Sequence, residues 1–174
     1  MGDIDPRKIC LAVGGALSDW ENAEIAYSYL FNNLTRPQIL SSAIRRAYGS
    51  VISVRSRREM IEAAAQVFFH EFPSTALEAE LRDILNFYMS AAARRNDFAH
   101  GVVLSWGASK GWYLEANMYS NKRSMTHATP YAYTSEQISK IASGFSRLTT
   151  DVNDLRDELQ AHFRSCDPTR RARY

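Results

Sequence analysis

Ala91-Ala92-Ala93-Arg94-Arg95-Asn96-Asp97-Phe98-Ala99-His100-Gly101 closes an apolar helical run with three alanines, a polar cluster and a glycine. Glycine just past a last turn supplies the left-handed conformation that stops a helix. His100 is therefore expected in the final turn, near the negative end of the helix dipole, where an imidazolium is favoured. At about 100° per residue, Asn96 and His100 share one face, with Met89 and Ala93 behind them. Arg95 falls instead on the stripe of Ile84 and Tyr88, which should face protein. A guanidinium there needs a partner or a task.

Upstream of this stretch the chain reads as helices. The first runs from Ile9 to about Asn33, with a break or fresh start expected around Gly14-Gly15. Its stripe is Leu17, Trp20, Glu24, Tyr27, Phe31 and Leu34, at alternating three- and four-residue steps. Glu24 either marks the edge of a wide stripe or is a buried carboxylate that supports Arg95. Pro37 suits the first turn of a second helix reaching about Tyr48. Ser56 with Glu59 forms a capping box for a third, ended by Pro73. Thr75 then caps the fourth, which carries Leu77, Leu81, Ile84, Leu85 and Tyr88 into the stretch quoted above. The alanine triplet serves helix propensity, or the close approach of another helix from this chain or a second copy.

Downstream the period changes to two. Val102 to Trp106 and Trp112 to Tyr119 read as a β-hairpin with a glycine-bounded turn. Its aromatic residues suit either covering the bundle end or stacking on unpaired bases. Asn121 to Thr129 is a polar loop with Lys122, Arg123 and His127. Thr134 and Gln137 form a capping box for the last helix. Ile138, Ile141, Phe145, Leu148, Val152, Leu155 and Leu159 then make a bundle-packing seam. Residues 1–8 and 165–174 are expected to be flexible tails, the second one basic. The whole reads as one all-α domain of about five helices with a small hairpin between the fourth and fifth.

The 174 residues are 45% hydrophobic and 23% charged, so a packed core rather than disorder is expected. A net charge of +2 is too small to name a polyanion partner, and attention passes to the distribution. Between Arg36 and Arg58 lie six arginines and no acidic residue, among them Arg45, Arg46, Arg55, Arg57 and Arg58. Such a strip suits either solvent or phosphates, and with Arg94 it is the candidate RNA-binding surface. Cys10 and Cys166 stand in no metal or redox spacing. No phosphate-binding glycine loop, catalytic carboxylate pair or metal-ligand spacing occurs, so neither a metal nor a cofactor is expected. No apolar run approaches the length of a membrane span, and Asp3 and Asp5 stand where a signal peptide would be positive. The chain is expected in the cytoplasm, with no membrane partner.

Arg95-Asn96, three further residues, then His100-Gly101 resembles the signature of HEPN domains, in which arginine precedes histidine by four to six positions late in a helical bundle. The resemblance covers the helical framework from about Ala16 to Phe163 and is sharp only in the motif. It implies a HEPN-like bundle and a metal-independent endoribonuclease with Arg95, Asn96 and His100 as catalytic residues. It further implies a toxin or antiviral effector that acts as a homodimer, with an antitoxin or nucleotidyltransferase as partner. The alternative it carries is an inactive RNA- or nucleotide-binding module, or a protein-interaction adaptor.

Overall fold

The computed structural model describes residues 1–35, 39–107, 109–116 and 132–166. Among these, five helices run α1 (Pro6–Thr35), α2 (Ser42–Ser50), α3 (Val54–Glu71), α4 (Thr75–Ala99) and α5 (Ser135–Cys166). Between α4 and α5 lie β1 (Val102–Ser105), β2 (Trp112–Glu115) and β3 (Ala132–Tyr133). The fold is all-α with a small sheet inserted before the last helix, as the change of period after Gly101 indicates. The sheet has one strand more than the hairpin expected: β2 pairs antiparallel with both β1 and β3. Two paired residues of β3 leave too short a pattern to read from sequence. Leu114 pairs with Val103 on one side and Tyr133 on the other.

The helix ends depart from the sequence reading, most at the second helix, which starts at Ser42 rather than around Pro37, a residue outside those described. The first helix is continuous through Gly14 and Gly15. Both glycines are exposed there, and neither backbone is crowded. Ser41 caps α2 and Ser53 caps α3, each side chain accepting from the third residue on. Ser56 thus lies inside α3, and Glu59 pairs with Arg55 rather than closing a capping box. Ser74, not Thr75, caps α4, taking the amide of Leu77 on its hydroxyl and that of Glu78 on its carbonyl. The reciprocal Thr134–Gln137 box is present, with Gln137 Oε1 accepting from the Thr134 amide at 2.9 Å.

The described residues form two compact units, Met1–Asn22 with Ser90–Arg147, and Ala23–Met89 with Leu148–Tyr174. Helices α1, α4 and α5 have residues in both. In the first unit Trp20 meets Phe145 edge-on, and Phe98 meets Phe145 and Tyr133. The N-terminus is engaged there rather than loose: Asp3 exchanges backbone hydrogen bonds with Trp112 and caps α5 through Ser135. Gly111 makes this possible, since its φ is +83° and a Cβ would lie 2.8 Å from the Asp3 carbonyl oxygen. In the second unit Tyr27 lies against Tyr88 with rings tilted at 36°, and Phe72 meets Phe163 edge-on. Ile138, Phe145, Leu148, Val152, Leu155 and Leu159 of the expected seam are buried, whereas Ile141 is half-buried.

Candidate functional site

The motif occupies the end of α4 in the first unit. The helix stops at Ala99, and the amide of His100 makes a last bond to the Asn96 carbonyl at 3.2 Å. Gly101 does not stop it by a left-handed conformation, since only Gly107 and Gly111 have positive φ among the described residues. Its role is spatial. A Cβ there would lie 2.8 Å from the Asp97 carbonyl oxygen and 2.9 Å from the Leu114 side chain. The chain turns from helix to strand only because that position has no side chain.

Ala93, Asn96 and His100 are all exposed, so the face expected to carry the motif is open. Ala91 and Ala92 pack within the chain, at 4% and 5% exposure, which leaves only Ala93 of the triplet for a second copy. The His100 ring has no hydrogen-bond partner among the described residues. Arg95 is half-buried and reaches two groups: Nη1 donates to Asn96 Oδ1 at 3.2 Å, and Nη2 lies 3.8 Å from Glu21 Oε1. Its Nε is buried with no partner among the described residues. Glu21 is two-thirds exposed, so water weakens an ion pair already at the limit of contact.

The pairing of Arg95 with Glu24 is therefore corrected. Glu24 lies in the second unit and is fully engaged there: Oε2 accepts from Arg57 Nη1 at 2.6 Å, and Oε1 from the Tyr88 hydroxyl at 2.8 Å. Arg57 also donates from Nε to the Val51 carbonyl at 2.7 Å. Burial alone would lower the Arg57 pKa, but the Glu24 charge beside it leaves it raised. Burial pushes the hydroxyls of Tyr27, Tyr48 and Tyr88 well above their ordinary value, and the Glu24 charge adds to each. The sequence showed Glu24 as the odd member of its stripe, but not which of several arginines would answer it.

Most of the remaining strip residues also have neighbours. Arg55 pairs with Glu59, and Arg58 with Glu62 and Asn86. Arg45 lies over the Tyr29 ring at 3.8 Å and bonds Ser28. Arg46 is exposed with no partner among the described residues. Arg94, in the first unit, donates to the Tyr133 hydroxyl at 2.8 Å and lies 3.1 Å from Asp97, which accepts from Tyr133. Burial first, then the Asp97 charge, raises the Tyr133 hydroxyl to about 12. This triangle fixes the motif's turn to β3. Sequence reasoning missed it, although the three-residue step from Arg94 to Asp97 on a helix was a usable signal.

Among the described residues no group of histidine, cysteine and acidic side chains is placed to hold a metal, and no helix is long and apolar enough to cross a membrane. His127, Lys122, Arg123, Arg36 and the basic tail lie outside the described residues. Comparison with protein-family models, curated proteins and solved structures gives no match.

Proposed function

We propose that the chain is a metal-independent endoribonuclease whose catalytic residues are Arg95, Asn96 and His100. The observation that carries this reading is a guanidinium with only a distant, exposed counter-charge, one turn before an exposed histidine whose ring has no partner among the described residues. A fold that needed these groups for stability would have engaged them, as it engages Arg57 and Glu24. The resemblance to HEPN domains adds the expectation of RNA as substrate.

RNA carries its own nucleophile. One imidazole takes the proton from a 2′-hydroxyl, whose oxygen attacks phosphorus. An imidazolium gives a proton to the departing 5′-oxygen, leaving a 2′,3′-cyclic phosphate and a 5′-hydroxyl. Histidine suits both tasks because its ordinary pKa of about 6.5 leaves both forms populated near neutrality. Arginine stays charged and can grip two phosphate oxygens as charge builds on them. The Asn96 amide orients the Arg95 fork it already accepts from. A single imidazole cannot be base and acid in one transesterification, so the working unit is a homodimer joined through the open face of Ala93, Asn96 and His100.

Incubation of single-stranded RNA with the protein in chelator tests this reading. The wild type should release fragments ending in 2′,3′-cyclic phosphate, and His100→Ala should release none while melting normally. Equal cleavage by His100→Ala would end the assignment. Binding without cleavage by the wild type would favour an inactive RNA-binding module.

A further inference from the structure

We propose that the outward face of the three-stranded sheet is a stacking platform for unpaired RNA bases, with Trp106 and Tyr113 as its rings. Only the choice of RNA rests on the ribonuclease reading. The hairpin's aromatic residues suit two tasks, covering the helices or stacking on bases, and strand alternation gives one task to each face.

Leu114 lies opposite Val103 and Tyr133, so these three share the inward face, with Trp112 two residues before Leu114. Leu114 and Tyr133 are buried there, and the Tyr133 ring meets Phe98 edge-on. Covering the helices is therefore the work of the inward face. Val102, Leu104, Trp106 and Tyr113 alternate with those residues and take the outward face. Val102 is 53% exposed and Trp106 38%, whereas Trp20 in the core of the same unit is 1% exposed. An indole left that open has apolar surface to offer a partner.

The rings are held in place. Trp106 lies against Tyr113 with centroids 4.8 Å apart and planes tilted at 37°. The Trp106 amide donates to the Gly111 carbonyl at 3.0 Å, which extends the ladder past the end of β1. Gly2 closes on the other ring, since a Cβ there would lie 2.5 Å from Tyr113 Cε2. A third ring added to this pair binds side chains that are already ordered, at a low cost in entropy.

Charge and position favour a nucleic-acid strand. Lys110, in the turn between the two ring-bearing strands, is exposed with no side-chain partner among the described residues. Glu115, the acidic residue described on this face, already has a partner. A cation beside open rings is the combination that holds single strands. β1 begins two residues after His100, so at most about 20 Å of chain separates Trp106 from the motif. A strand seated at His100 can run on to Trp106.

Anisotropy titration of a labelled RNA of about 12 nucleotides, 2′-O-methylated so that it cannot be cut, tests the platform. The wild type should bind it saturably, and an abasic strand of the same length at least about tenfold more weakly. Trp106→Ala should lose about tenfold on the normal strand and nothing on the abasic one, with its melting temperature unchanged. Trp106→Phe should restore most of the affinity. Both variants should keep the wild-type salt slope, because stacking releases no counterions. Equal binding of the two strands by the wild type, wild-type affinity in Trp106→Ala, or no saturation would each overturn the platform. Because the probe cannot be cleaved, its failure leaves the ribonuclease test standing. A chain that stacks bases without cutting RNA would keep the platform and lose the enzyme.

Discussion

Arg57 and Arg95 are both half-buried arginines on helices, and the protein treats them in opposite ways. Arg57 is held by a carboxylate at 2.6 Å and a carbonyl at 2.7 Å, and the same carboxylate takes a tyrosine hydroxyl. Arg95 has an amide oxygen at 3.2 Å, an exposed carboxylate at 3.8 Å, and a buried Nε with no partner among the described residues. A charge taken out of water demands partners. Where the fold supplies them the charge is structural. Where it withholds them, near a histidine whose ring has no partner among the described residues, the proposed function assigns the charge to a substrate.

Removing the structural pair should have the largest effect. Glu24→Gln strips the charge facing Arg57, and breaking a buried pair costs about 3–5 kcal/mol. The Arg57 side chain keeps 19% exposure, which places the loss near the lower value. The melting temperature should fall by about 6–12 °C at roughly 2–4 °C per kcal/mol. An unchanged melting point would show that water, not Glu24, balances Arg57.

Gly101→Ala comes next. The added methyl meets the Asp97 carbonyl and Leu114 at under 3 Å, so either the turn or β2 must move. A cost of about 1–3 kcal/mol is expected by calorimetry. Cleavage should drop further than stability, because His100 is the adjoining residue. Loss of stability and activity in proportion would show that the turn does not position the histidine.

The tyrosines give a pH signature. Tyr133 has its pKa raised in the fold to about 12 against the ordinary 10.0, so the folded state holds its proton more tightly. That contribution is complete below pH 10 and is lost as pH rises toward about 12. Tyr27, Tyr48 and Tyr88 are raised as well and add to the loss in the same direction. Tyr133→Phe should shallow the alkaline fall in stability, followed by denaturant melts at stepped pH; an unchanged slope would place its hydroxyl in solvent.

The smallest stability effects belong to the exposed arginines. Arg46→Ser and Arg55→Ser should shift stability by no more than about 0.5 kcal/mol. If the strip binds RNA, each should flatten the salt dependence of binding, by nearly one unit of slope for each phosphate no longer neutralised. A parallel salt slope would assign these residues to solvent.

Much of this was legible in the sequence, for identifiable reasons. Long periodic stripes fix helices whatever their neighbours, so α5 and the shift to strands after Gly101 could be read directly. Cap positions slipped by one to three residues at α3 and α4, because Ser53 and Ser74 compete with equally good cap formers nearby. Glu24 announced itself as misplaced in an apolar stripe, but its partner depends on how distant segments pack. The triangle of Arg94, Asp97 and Tyr133 was invisible for the same reason. The motif was the easiest feature to find, and its open face is consistent with a task outside the fold.

The contrast between the two arginines is tested most directly by the melting temperature of Arg95→Ala measured beside Arg57→Ala. Removing Arg95 also removes a buried N–H with no partner among the described residues, so on the proposed reading stability should be recovered. Arg95→Ala should melt no lower than the parent, while Arg57→Ala melts several degrees earlier. An Arg95→Ala protein that melts as early as Arg57→Ala would make Arg95 a structural residue and contradict its place in an active site.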